Sequence, residues 1–73
     1  MTAVGKLVAA RQAELAAEYG GINRVPTNIY NPSYVHTWLQ RNRYGEYRAA
    51  ERQDEEAFRA AQREVAKRIR EAV

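Results

Sequence analysis

Residues 19–47, YGGINRVPTNIYNPSYVHTWLQRNRYGEY, separate two stretches of helical sequence and decide how those stretches can pack. Six of the seven aromatic residues lie in this segment, together with both prolines and the only histidine, His36. Residues 19–45 contain no acidic residue but carry Arg24, Arg41 and Arg43. We therefore interpret the flanking stretches as a scaffold and the central segment as the working surface.

The central segment contains a short helix of its own. Asn31 is a good N-cap residue, and Pro32 suits the first helical position because its missing N–H is not needed there. Tyr34 and Trp38 are four residues apart, so they share one face of this helix. The pattern predicts a helix from Asn31-Pro32 to about residue 42, with a break or kink at Gly45.

A long connection, residues 20–31, precedes this helix. Gly20-Gly21 predicts the end of the first helix, because glycine readily adopts the left-handed conformation found at helix ends. The connection also contains four large apolar side chains, those of Ile22, Val25, Ile29 and Tyr30. We expect the connection to fold back and complete the core; the alternative is that it offers these groups to a partner. Its turn formers are compatible with a short extended or hairpin segment at 22–25 or 28–30.

Helices are predicted on both sides of the central segment. Residues 3–19 repeat apolar side chains at helical spacing among helix-favouring alanines. Residues 46–72 form the longest helical pattern, with a narrow apolar stripe that Asp54 interrupts; the stripe comprises Tyr47, Ala50, Phe58, Ala61, Val65, Ile69 and Val73. We predict a single all-α domain over residues 1–73. The first helix lies antiparallel to the last, and the short helix and the ordered loop close a core against the whole stripe.

The composition and the motifs of the chain exclude several classes of function. The chain lacks cysteine, so it has neither disulfides nor a thiolate metal site. Ser33 stands one turn before His36, but no nucleophile elbow accompanies them. We expect a non-enzymatic protein without metal or cofactor. No apolar run is long enough for a membrane span, and Met1–Lys6 do not resemble a signal peptide, so we expect a cytoplasmic location. We also expect the protein to be a monomer.

The net charge of +3 comes from the central segment. Residues 1–18 are balanced, and residues 46–73 carry seven basic against seven acidic groups. Arg24, Arg41 and Arg43 therefore supply the whole excess. A local positive patch attracts nucleic acid or an acidic protein surface; solvated loop arginines are the alternative interpretation.

One interpretation is DNA binding. Residues 14–20, ELAAEYG, and 32–39, PSYVHTWL, resemble the first helix and the recognition helix of a helix-turn-helix domain. The resemblance implies that Ser33, Tyr34, His36 and Thr37 face base edges and that Arg41 and Arg43 contact phosphates. Here eleven residues separate Gly20 from Pro32, where that family has a turn of a few residues.

The favoured interpretation is protein binding, because Trp, Tyr and Arg most often dominate binding energy at interfaces. The candidate partner-binding residues are Arg24, Tyr30, Tyr34, Trp38, Arg41, Arg43, Tyr44 and Tyr47. In length, charge and layout the chain resembles small bacteriophage-encoded factors that bind host RNA polymerase and block promoter recognition or suppress termination. The resemblance implies a larger protein target with an acidic surface. A third interpretation is an assembly component whose long helix packs against copies of itself.

Overall fold

The computed structural model describes residues 1–72, and over this range all the regular secondary structure is helical. Helix α1 spans Ala3–Tyr19, a 3₁₀ turn spans Ile22–Arg24, and a single-turn helix α2 spans Thr27–Tyr30. Helix α3 follows at Pro32–Asn42 and helix α4 at Tyr44–Ala72. The predicted all-α class and the first two predicted helices are confirmed. The last helix begins two residues earlier than predicted, and Val73 of the predicted stripe lies outside the described residues.

Local signals define both ends of α1. At the start, the Thr2 side chain accepts a hydrogen bond from the Gly5 amide at 2.9 Å. At the end, Gly20 adopts φ +79°, a left-handed conformation that residues with a Cβ rarely take. The Gly21 amide then donates to the Ala16 carbonyl at 2.7 Å, which satisfies one of the last carbonyls of the helix.

A distant residue completes the cap at the start of α1. Asp54 in α4 accepts hydrogen bonds from the amides of Ala3 at 2.7 Å and Val4 at 3.1 Å. The first amides of a helix have no partner within it, and a carboxylate there also interacts favourably with the helix dipole. Asp54, which interrupts the apolar stripe in the sequence, therefore joins α4 to the beginning of α1.

The core lies where α1, α3 and the first turns of α4 meet. Val35 and Leu39 of α3 are each only 1% exposed and pack with Val8 of α1 and Tyr47 of α4. As predicted, α1 runs antiparallel to α4: its start lies beside Asp54, and Glu14 further along lies beside Arg43, just before α4.

The connection between α1 and α3 contains two short helical turns, and residues 20–31 form no strand or hairpin of the kind considered for it. Consecutive turns satisfy the backbone amides locally instead; the Val25 amide, for example, donates to the Ile22 carbonyl. Val25 is buried and Ile29 is partly buried, which confirms that the connection folds back onto the helices. Ile22 remains 62% exposed.

The break between α3 and α4 occurs at Arg43, not at Gly45. Arg43 has φ −136° and ψ +49°, and its amide donates to the Leu39 carbonyl at 2.8 Å. Gly45 is already within α4. The Arg43 side chain anchors this turn to α1 by donating two hydrogen bonds to Glu14.

The second half of α4 extends beyond the core, and here the predicted packing of the whole stripe is wrong. Tyr47 and Ala50 are buried, whereas Phe58, Val65 and Ile69 are more than half exposed. The cause is length: α4 has 29 residues and α1 only 17, and α1 begins beside Asp54. The molecule is accordingly elongated, at 56 × 24 × 16 Å. None of the helices within residues 1–72 combines the length and apolar character that crossing a membrane requires.

Candidate protein-binding surface

A cap at its first turn and two buried side chains fix the position of helix α3. The Asn31 side chain accepts a hydrogen bond from the Ser33 amide at 2.9 Å, and Pro32 occupies the first turn. Val35 and Leu39, four residues apart, face the core. The exposed side of α3 consequently carries Ser33, Tyr34, Thr37, Gln40 and Arg41.

Trp38 lies at the border between the core and the exposed side, where two arginines contact its ring. The Arg11 guanidinium lies 3.8 Å from the ring centroid, and that of Arg43 lies 5.1 Å away. Cations over the face of an indole are attracted by its quadrupole. Glu14 connects the two cations: it accepts hydrogen bonds from Arg43 at 2.7 and 2.9 Å, and Arg11 lies 3.7 Å away. We call Arg11, Glu14, Trp38 and Arg43 the Trp38 cluster.

The ion pair within this cluster shifts the pKa of both partners, Glu14 and Arg43. The hydrogen bonds from Arg43 are the main cause that lowers the pKa of Glu14 below its ordinary value of 4.5; partial burial opposes the shift, and the charges of Arg43 and Arg11 add to it. The same pair of hydrogen bonds raises the pKa of Arg43. The charge of Arg43 is thus compensated within the protein, and the predicted patch of three arginines retains two that form no ion pair within residues 1–72, Arg24 and Arg41.

A groove opens beside the cluster, between the second half of α1 and α3. Its volume is about 110 Å³, and its walls combine apolar and aromatic side chains with two charged ones; they comprise Arg11, Leu15, Glu18, Tyr19, Ile29, Tyr34, Val35 and Trp38. Tyr19 and Tyr34 are 41% and 46% exposed, so the groove has tyrosine rings accessible to solvent. Aromatic rings with a polar tip are suited to such a position because they tolerate both water and an apolar contact.

The structure separates the eight candidate partner-binding residues into three groups. Four are exposed (Arg24, Tyr34, Arg41 and Tyr44), three are partly buried (Tyr30, Trp38 and Arg43), and Tyr47 is buried. Tyr34 and Trp38 are brought together in the groove, and Arg41 follows on the same side of α3, at i+7 from Tyr34. Arg24 lies beside Gly20, at the end of α1. Partner binding by these residues stays a prediction.

Tyr47 and His36 form an internal pair. The Tyr47 hydroxyl lies 3.0 Å from His36 Nδ1, and the two rings meet edge to face at 5.9 Å. His36 therefore points towards α4, not to the side of α3 that the helix-turn-helix resemblance assigns to base edges. The 3₁₀ turn and α2 also separate α1 from α3, so the two helices are not joined by a short turn.

Sequence reasoning missed Glu14 and the role of Arg11. The available signal was Arg11 itself, a charged side chain that interrupts the apolar stripe of α1, followed by Glu14 three residues later. A cation at such a position needs either solvent or a nearby anion, and the structure supplies the anion together with an aromatic face. No group of three or more potential metal ligands lies together within residues 1–72.

The sequence matches no protein-family model, and comparisons with curated proteins and with solved structures found no significant similarity.

Proposed function

We propose that this protein is a non-enzymatic regulator that binds a larger protein through the groove between α1 and α3. The observation that carries the proposal is the pair of solvent-accessible tyrosines, Tyr19 and Tyr34, beside the partly buried Trp38. Rigid aromatic side chains supply a large contact area at low entropic cost, and they are enriched among the residues that dominate binding.

The charges define the chemistry of the target. Arg41 on the same side of α3 is exposed, whereas Arg43 is neutralised by Glu14. The target surface therefore presents apolar groups to the rings of Tyr34 and Trp38 and acidic groups to Arg41. Opposite charge at the rim mainly accelerates encounter and fixes orientation, and the aromatic contact supplies most of the affinity.

The resemblance to phage factors in size and layout extends the proposal to a specific target, bacterial RNA polymerase. In this proposal the protein occupies a surface of the enzyme and thereby inhibits promoter recognition or suppresses termination. The mechanism requires no chemistry from the bound protein.

Binding of purified bacterial RNA polymerase to immobilised full-length chain tests the proposal. Tyr34→Ala should weaken binding by about 10- to 100-fold, in the range for interface residues that dominate affinity. Arg41→Glu should weaken binding less, mainly by slowing association, because its charge lies at the rim. Because both side chains are exposed, helix content and melting temperature should change little. Arg43→Glu is unsuitable as a probe, since it would place two carboxylates together and disturb the fold.

The matched control is Arg63→Glu, an exposed charge reversal in the second half of α4. It should leave binding unchanged. If Arg63→Glu abolishes binding while Tyr34→Ala and Arg41→Glu have no effect, the interface lies on α4 and the proposed surface is wrong. The absence of micromolar binding to the polymerase would refute that target.

DNA binding is the second candidate, supported by the exposed Ser33, Tyr34 and Thr37 on the outer side of α3. With only two uncompensated arginines nearby, few phosphates could be neutralised, so affinity should be low and its salt dependence shallow. Titration with a duplex at several salt concentrations separates the candidates. Submicromolar binding near physiological salt, lost in Tyr34→Ala, would favour DNA over a protein target.

A further inference from the structure

The second half of α4 presents an apolar face that nothing covers within residues 1–72. We call it the α4 tail face; it comprises Phe58, Ala61, Gln62, Val65, Ala66 and Ile69. Its three large side chains are 64%, 55% and 61% exposed, in chain order. The face continues the stripe whose earlier members, Tyr47 and Ala50, are buried against the body of the protein. Contiguous exposed apolar surface of this kind marks an interaction site.

The existing packing specifies what would cover it. Helix α1 lies antiparallel to α4 and begins beside Asp54, where the tail face starts. A helix that continues this cover must lie beyond the start of α1, because α1 already covers the earlier part of α4. To reach from residue 55 to residue 72 it must be about 27 Å long, at a rise of about 1.5 Å per residue. It must also be apolar on one side, and the α4 tail itself meets all three requirements.

We propose that the α4 tail face is the interface of a homodimer, in which the tail of a second copy lies antiparallel and in line with α1. A two-fold symmetric interface must be complementary to itself. Antiparallel pairing can place Phe58 opposite Ile69 and Ala61 opposite Ala66 of the second copy. Phe58 and Ile69 then close the two ends, and the alanines allow the helices to approach between them.

Charge selects the antiparallel arrangement. At the start of the tail Glu55 and Glu56 outnumber Arg59, whereas at its end Lys67, Arg68 and Arg70 outnumber Glu71. Antiparallel pairing brings the acidic end of one copy beside the basic end of the other, and it also opposes the helix dipoles favourably. Parallel pairing would place like charges together.

Steric exclusion also favours the antiparallel arrangement. In each copy α1 already occupies the side of α4 that carries Tyr47, Ala50 and Asp54. Two parallel α4 helices facing each other through their stripes would bring both α1 helices into the same space. The antiparallel dimer avoids this clash because each tail occupies the space beyond the start of α1. It replaces the expected monomer and is independent of the proposed function, since the groove lies towards the other end of the molecule.

Sedimentation equilibrium of the full chain, from low to high micromolar concentration, tests the dimer. The wild type should show a reversible monomer–dimer equilibrium. Val65→Glu buries two carboxylates in each dimer. Each should weaken dimerisation about tenfold or more, so the dissociation constant should rise at least about 100-fold. Its helix content in the monomer should be retained because Val65 is exposed there. The control is Ala60→Glu on the opposite side of the helix, which should leave the equilibrium unchanged.

Disulfide cross-linking determines the orientation, and the absence of native cysteine makes it simple. A mixture of Ala61→Cys and Ala66→Cys chains should form the mixed disulfide in preference to either self-pair, because a disulfide requires Cα atoms within about 4.4–6.8 Å. A predominance of self-pairs would indicate parallel helices and overturn the arrangement. A wild type that remains monomeric at high micromolar concentration, or a dimer insensitive to Val65→Glu, would overturn the interface.

Discussion

Substitution of Asp54 tests whether the charged residue in the α4 stripe is a cap for α1. In Asp54→Ala the amides of Ala3 and Val4 lose acceptors at 2.7 and 3.1 Å. Hydrogen bonds to a charged group contribute roughly 1.5–3 kcal/mol each, whereas loss of a helix cap costs about 0.5–2 kcal/mol. Because the site is only partly buried, water replaces part of what is lost. We therefore expect Asp54→Ala to lower the free energy of unfolding by about 2 kcal/mol, which lies within both of these ranges.

In a domain of this size, that loss corresponds to a fall in melting temperature of about 8–16 °C. Thermal unfolding monitored by circular dichroism measures it, at a chain concentration low enough to keep the protein monomeric. Asp54→Asn retains one acceptor oxygen but loses the charge, so its cost should be about half that of Asp54→Ala. Amide hydrogen exchange should accelerate most at Ala3 and Val4.

The matched control is Glu55→Ala, which removes an exposed carboxylate one residue further along α4. It should change stability by less than about 0.5 kcal/mol. Equal losses for Asp54→Ala and Glu55→Ala would show that the carboxylate acts through general charge, not through the two hydrogen bonds. The explanation given for Asp54 would then be wrong.

Three further substitutions test the Trp38 cluster and the core. The folded-state pKa of Glu14 is lowered, so the stabilisation from its ion pair is present above pH 4.5 and is lost as the pH falls through the lowered value. The difference in unfolding free energy between wild type and Glu14→Gln should therefore shrink below pH 4.5 in denaturant titrations; a constant difference would contradict this. Leu39→Ala should cost about 3 kcal/mol, and Trp38→Ala, at a partly buried position, about 2 kcal/mol. The opposite order in thermal unfolding would identify the cluster around Trp38 as the main support of the fold.

The positions of the helices were predictable because their signals are local. Gly20 ends α1 through a conformation that glycine favours, and Asn31-Pro32 begins α3 through a cap and a suitable first residue. Such signals act within a few residues. The all-α class and the bounds of α1 and α3 follow from them. The sequence predicted the break between α3 and α4 two residues too late, at Gly45. Glycine is only a weak indicator of a helix break, and the break occurs at Arg43 because the side chain of Arg43 is anchored to α1.

The candidate surface was only partly predictable from the sequence. The concentration of aromatics identified α3, but composition cannot distinguish Tyr34, which is accessible, from Tyr47, which is buried. Their environments depend on which side of each helix faces α1. Arg43 likewise counts as a free positive charge in the sequence, and the fold pairs it with a carboxylate 29 positions away.

The sequence by itself determined the three long helices, the end of α1, the start of α3 and that the excess charge lies in the central segment. Only the tertiary structure decided that Asp54 caps α1, that Glu14 neutralises Arg43 and that the α4 stripe is half covered. The physical reason is range. Helix propensity and capping depend on neighbours along the chain, whereas an ion pair, a distant cap or the burial of a stripe depends on which helices meet and how far each extends.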